Sequence, residues 1–167
     1  MRRRASAWEV AREVPDPELP MLTLGDLGIL RHVEETVTGG VIVAITPTYS
    51  GCPALEAIRD DVGTALRAAG YADVEVRTLL SPPWTTDWIG ETGRRKLAEA
   101  GIAPPGAAPA RAAGPVPLTL GPPRRRLRCP RCGSDATEEL SRFGSTACKS
   151  LWRCGDCREP FEHVKEI

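Results

Sequence analysis

Residues 41–80 read VIVAITPTYSGCPALEAIRDDVGTALRAAGYADVEVRTLL, and their periodicity decides the fold of the larger part of the chain. Val41 to Thr46 is a short apolar run suited to a strand. From Cys52 onward Leu55, Ile58, Val62, Leu66 and Ala69 recur at steps of three and four, which marks one face of a helix. Pro53 suits the first helical position and Gly70 the C-terminal cap. Val74, Val76, Thr78 and Leu80 then alternate with Glu75 and Arg77, as a half-buried strand does.

Working outward, Ile29 to Glu35 forms a second extended run, joined to Val41 through Thr38-Gly39-Gly40 as a β-hairpin. Further upstream Ser6 fits an N-cap, Ala7, Val10, Ala11 and Val14 share one helical face, and Pro15 stops the helix. Asp16-Pro17-Glu18 makes a tight acidic turn. Downstream, the loop SPPWTTDW leads to a helix over about Glu91 to Ala100, ended by Gly101. Trp84 and Trp88 read as a lid packed over the sheet. The order is α-β-β-α-β-α, which predicts a small two-layer α/β (α+β) domain with helices on one side of a three-stranded mixed sheet.

The run PPGAAPARAAGPVPLTLGPP, Pro104 to Pro123, has neither period and too little apolar bulk to fold, so it reads as a semi-extended linker. The expected organisation is residues 1–103, a Pro/Ala-rich linker 104–123, and a C-terminal unit 124–167. The last is too short for a core alone to suffice. The net charge of zero hides an asymmetry, with 11 basic against 15 acidic side chains in 1–103 and 10 against 7 in 122–167. Zero net charge argues against a protein that coats nucleic acid by bulk charge.

Cys129-Pro130-Arg131-Cys132 and Cys154-Gly155-Asp156-Cys157 are CxxC pairs separated by 21 residues. Two residues between thiolates let a turn aim both sulfurs at one tetrahedral ion, and the separation is close to that of zinc ribbons. Thr137 to Phe143 and Lys149 to Arg153 read as the ribbon's short strands. Zinc is the favoured ion, with iron on the same sulfurs, redox dithiols or disulfides as the alternatives. Cys148 reads as a buried small hydrophobe, and His163, which follows a complete ligand set, as a surface residue. Arg124, Arg125, Arg126, Arg128 and Arg131 suggest a phosphate footprint, but Phe143, Trp152 and Phe161 are no more than a ribbon's own core requires.

In the larger unit, a Cys52 placed as the N-cap ahead of Pro53 would face free amides and the helix dipole, which lower a thiol pKa. The opposing reading is an inert buried cysteine. Asp16 and Glu18 are candidates to meet it across the fold. No Gly-rich phosphate loop and no His paired to the cysteine are present, and His32 falls on a strand face, so no catalytic constellation is expected. No apolar run approaches the roughly 20 residues of a membrane span, and Glu9, Arg12 and Glu13 interrupt any signal sequence, so a reducing cytoplasmic location is expected.

Taken together, VPDPELPMLTLGDLGIL, ITPTYSGCPALEAIRDDV and LLSPPWTTDWIGETGRRKLAEAGIAPP resemble the MIP18-like (DUF59) iron–sulfur assembly family. With the tail CPRCGS, FGSTACKSLWRC and CREPFEHVK, the chain resembles the phenylacetyl-CoA epoxidase accessory proteins of the D/J type. The resemblance implies a non-catalytic bacterial protein of aerobic phenylacetate degradation that assists iron–sulfur or iron centre assembly in the oxygenase and its reductase. It places the family's DPE motif on Asp16, Pro17 and Glu18 and its reactive cysteine on Cys52, a transient holder of iron or a cluster. One thiolate cannot hold a cluster alone, so a homodimer, an oxygenase or reductase component, or an iron–sulfur carrier would complete the site. The rival functions are an integral oxygenase subunit, a zinc-ribbon regulator binding nucleic acid, and a thiol oxidoreductase.

Overall fold

The computed structural model describes residues 5–49, 51–108 and 126–167. The chain divides into two compact units, Met1–Lys96 and Leu97–Ile167. Most of the expected linker, residues 109–123, lies outside the described residues, as do Arg124 and Arg125 of the basic cluster.

The first unit opens with α1, Ala7–Arg12, whose N-cap Ser6 and Glu9 exchange side-chain and backbone hydrogen bonds in a capping box. A single helical turn, α2 (Leu24–Leu27), follows, with Thr23 and Asp26 forming a second capping box. One turn is too short to show a period, which is why the sequence reading missed it. Strands β1 (Leu30–Glu35) and β2 (Val41–Ile45) pair antiparallel, and β2 pairs parallel with β3 (Val74–Thr78), in the order β1-β2-β3. Between β2 and β3 runs α3, Leu55–Ala68, as the crossover that a parallel pair requires.

Val41, Val43 and Ile45 are buried, and α1 and α3 pack on the sheet. His32, Glu34, Glu75 and Arg77 are exposed. Ile58, Val62 and Leu66 of α3, four residues apart, are fully buried. Each contributes about 1.5–3 kcal/mol of transfer free energy.

The helix starts later than the Pro53 expected from the sequence. Its cap is Ala54, and Cys52 and Pro53 belong to a preceding turn closed by Leu55 N–H donating to the Cys52 carbonyl at 3.2 Å. After β3, Trp84 is buried with its indole N–H on the Leu27 carbonyl at 2.9 Å, and Trp88 lies under the Arg31 guanidinium at 3.7 Å. Helix α4, Glu91–Glu99, contains the boundary between the two units.

The second unit is a three-stranded antiparallel sheet of β4 (Thr137–Ser141), β5 (Lys149–Cys154) and β6 (Pro160–Val164), in that order. Strand β6 escapes a reading by composition because Pro160, Glu162 and His163 mask the short apolar signal of Phe161 and Val164. Its core is small: Ala103, Cys129, Trp152, Cys154 and Phe161, with Leu127 packed against them. The sheet also carries a buried ion pair, Lys149 Nζ to Glu162 Oε2 at 2.8 Å.

Candidate functional site

The four cysteines of the CxxC pairs converge in the second unit, their sulfurs all lying within 4.8 Å of one another. Cys129 Sγ is 3.7 Å from Cys157 Sγ and Cys132 Sγ is 3.5 Å from Cys154 Sγ. A disulfide needs about 2.05 Å. A tetrahedral zinc with Zn–S bonds of about 2.3 Å spaces its sulfurs about 3.8 Å apart, so the cage fits the ion.

The two turns are built alike. In each, the first cysteine donates its N–H to the carbonyl five residues on, Cys129 to Ser134 at 2.8 Å and Cys154 to Glu159 at 3.1 Å. The residue after the second cysteine is left-handed in both, Gly133 at φ 77° and Arg158 at φ 61°. Ser134 Oγ bonds to Asp156 Oδ2 and ties one turn to the other.

Backbone amides prepare the sulfurs for charge. Those of Cys157 and Asp156 point at Cys154 and, against desolvation, draw its pKa down to about 7. Cys157 accepts the Glu159 amide, yet desolvation and the sulfurs of Cys154, Cys132 and Cys129 push it up to about 12. Cys132 accepts the Ser134 amide and is still raised, through Cys154 and desolvation. Four negative sulfurs at this spacing repel one another unless a cation sits among them. The unit is therefore a zinc ribbon whose metal organises its fold.

Two sequence readings nearby change. His163 is buried rather than superficial, with Nδ1 3.3 Å from Ser150 Oγ and Nε2 3.3 Å from Glu166 Oε1. The Trp152 indole N–H, which can only donate, bonds Ser150 Oγ at 2.9 Å. Ser150 Oγ, with one proton and two lone pairs, can donate to or accept from Nδ1, so this contact suits either tautomer of His163. Burial follows because alternate residues of β6 face the core. Cys148 is half-buried rather than core, with Sγ 3.1 Å from the Thr146 hydroxyl.

In the first unit Cys52 is half-buried in the turn before α3, two residues ahead of the cap. Its N–H donates to the Tyr49 carbonyl at 3.2 Å, and the Ala54 cap offers α3 no side-chain hydrogen bond. The helix dipole still favours negative charge at this end. Asp16 is buried, and its Oδ1 accepts the N–H groups of Glu18 at 2.9 Å and Leu19 at 2.8 Å, closing the acidic turn, while Glu18 is half-buried. His32 is exposed on β1, 3.8 Å from Glu34.

Sequence reasoning missed two hydroxyls at the carboxyl ends of β2 and β3, the end of the sheet from which the Cys52 loop departs. Thr46 Oγ1 and Thr78 Oγ1 are buried with no hydrogen-bond partner among the described residues. An orphaned hydroxyl costs about 1–3 kcal/mol, which marks this end of the fold as under-satisfied. A Thr in an apolar β run gives no sequence signal of that. Among the described residues no helix is long and apolar enough to cross a membrane.

The iron–sulfur cluster assembly protein family matches residues 4–78, and the PaaD zinc β-ribbon domain matches residues 113–165. An Escherichia coli (strain K12) protein named as the D component of 1,2-phenylacetyl-CoA epoxidase is 46% identical over 96% of this chain and 91% of its own length. The Fe-S protein maturation auxiliary factor SufT of Staphylococcus aureus (strain USA300) is 39% identical, over 50% of this chain and 96% of its own. Among solved structures, a DUF59 domain from Bacillus anthracis is 25% identical with a TM-score of 0.51, covering 55% of this chain and 87% of that one.

Proposed function

The chain belongs to the PaaD-type family of phenylacetyl-CoA epoxidase proteins, an iron–sulfur assembly (DUF59) domain followed by a PaaD-type zinc ribbon, and from that premise we propose that it is a non-catalytic maturation factor for the ring-epoxidising oxygenase. It assists assembly of an iron–sulfur or iron centre in the oxygenase or its reductase. In this reading the N-terminal domain, within the expected 1–103, handles the centre, and the C-terminal unit, with Ala103 packed into its core, holds zinc through Cys129, Cys132, Cys154 and Cys157.

One observation carries the reading. Cys52 is half-buried in the turn that leads into a helix whose Ala54 cap makes no side-chain hydrogen bond, an end where the dipole favours a thiolate. Cys52 takes iron or a cluster as cargo, not as a resident cofactor. Asp16 shapes the neighbouring turn through its two backbone acceptor bonds, and Glu18 presents a carboxylate beside it. A second copy, a carrier protein or a client supplies the remaining ligands. The protein works in the cytoplasm, where thiols stay reduced.

Purification of the oxygenase tests this directly. A maturation factor leaves behind an oxygenase that keeps its iron and activity with the chain absent or far below one copy per complex. Stoichiometric co-purification, with activity lost when the chain is stripped away, would establish an integral subunit instead.

A further inference from the structure

The outer edge of β6 is already occupied. Ala103 pairs parallel with His163: Ala103 N–H donates to the Glu162 carbonyl at 2.8 Å, and Val164 N–H donates to the Ala103 carbonyl at 3.1 Å. Ala103 is 3% exposed and belongs to the ribbon's core with Cys129, Trp152, Cys154 and Phe161. A charged side chain at that buried position would lose its hydration. Pro104 and Pro105 lack an N–H, so the ladder stops after two backbone bonds. One further anchor follows, Gly106 N–H to Glu166 Oε1 at 3.0 Å, the oxygen that also faces His163 Nε2.

This is strand addition within one chain, held by few bonds. The strap's Pro104, Pro105, Gly106 and Ala107 wall one side of a cavity of about 480 Å³ whose other walls are Arg126, Leu127, Arg128 and Glu166. Residues 104–108, PPGAA, carry no charge, so the strap brings no carboxylate to the two arginines; Arg128 has only a loose, exposed contact to Asp135 at 3.8 Å, and Glu166 lines the same cavity. A peptide with acidic residues after the prolines would bring carboxylates to them. Its backbone would make the same two bonds, and its carboxylates would meet guanidinium groups suited to bind them.

We propose that the outer edge of β6 is a strand-accepting surface, held in cis by residues 101–106 and taken in trans by an extended peptide of a partner protein that carries an uncharged side chain, then proline, then acidic residues. The strap acts as a built-in competitor. Because it is tethered, it counts as a local peptide at roughly millimolar concentration, so a trans peptide binds the native chain weakly until the strap is dislodged.

The test uses the full zinc-loaded chain and two synthetic peptides, GIAPPG and GIAPPDD. Ala103→Glu puts a charge into the core position and expels the strap. Exchange of the Val164 amide should then accelerate, and millimolar GIAPPDD should restore its protection, with a dissociation constant at least about tenfold lower than for the native chain. GIEPPDD, carrying glutamate at the buried position, should not bind. Replacing Arg126 and Arg128 by Ala in the A103E chain should remove the advantage of GIAPPDD over GIAPPG.

The proposal fails if Val164 stays protected in A103E without peptide, or if GIAPPDD binds native and A103E chains equally. It also fails if GIEPPDD binds as well as GIAPPDD. Should A103E not retain zinc, Gly106→Pro removes only the strap's own N–H to Glu166 and leaves the accepting surface whole, so it loosens the strap more gently. GIAPPG should then bind several-fold more tightly than to the native chain, and an unchanged affinity overturns the proposal.

Discussion

Gly133→Ala isolates the contribution of one backbone dihedral to metal binding. Gly133 follows the second cysteine of its turn at φ 77°, and a Cβ built there meets nothing within 4 Å. The substitution therefore adds no clash, only the cost of holding a side-chain-bearing residue in the left-handed region. That cost is about 1–2 kcal/mol. In the ribbon, folding and metal binding are one equilibrium, because so small a core does not stand without its ion. The cost should thus appear in the zinc dissociation constant, weakened about five- to thirtyfold.

A chelator competition titration reads this. Gly39→Ala is the control, since Gly39 lies in the hairpin of the other unit at φ 84°, also with nothing within 4 Å. It should lower the stability of Met1–Lys96 by a similar amount and leave zinc affinity unchanged. Unchanged zinc affinity in Gly133→Ala, or an equal loss in Gly39→Ala, would refute the reasoning.

Arg158 occupies the same left-handed position in the second turn at φ 61°, so Arg158→Gly should tighten zinc binding a few-fold in the same titration. Asp26 is held below the ordinary carboxylate range: burial alone would raise it, but Lys96 Nζ at 2.6 Å and the Thr23 N–H more than offset that. A lowered carboxyl stabilises the fold above its unfolded pKa, and this is lost as pH falls through the folded value. Asp26→Asn should cost the first unit about 1–2 kcal/mol at pH 7, measured by hydrogen exchange of α2, and the difference should shrink as pH falls through the folded value.

Where apolar spacing and turn chemistry agree, the fold is legible from residues alone. The Ile58, Val62, Leu66 series, the Gly39 hairpin and the paired CxxC turns each tie several residues to one geometry. Legibility fails where a single interaction decides. Helix α3 starts at Leu55 because a turn closes on the Cys52 carbonyl, although Pro53 suits a first helical position equally well.

Ala103 belongs to the ribbon's core, yet it stands at the head of a Pro/Ala-rich run whose composition says only linker. His163 follows the ligand set at a spacing that fits a surface residue, and only the pairing of β6 with β5 buries it. At the first unit's proposed site, residue types nominate Cys52 and the acidic turn as candidates. The service of Asp16 to its own turn and the orphaned hydroxyls of Thr46 and Thr78 are matters of direction, which no one-dimensional pattern carries.

On the proposed function, Cys52 handles the client's iron while the zinc ribbon stands apart from that chemistry. The most direct measurement is the iron content and specific activity of the oxygenase and its reductase from cells whose only copy of this chain carries Cys52→Ala, with the variant's own zinc measured alongside. The account predicts clients depleted of iron and inactive, beside a variant that stays folded and retains one zinc. Clients with full iron and full activity would contradict it.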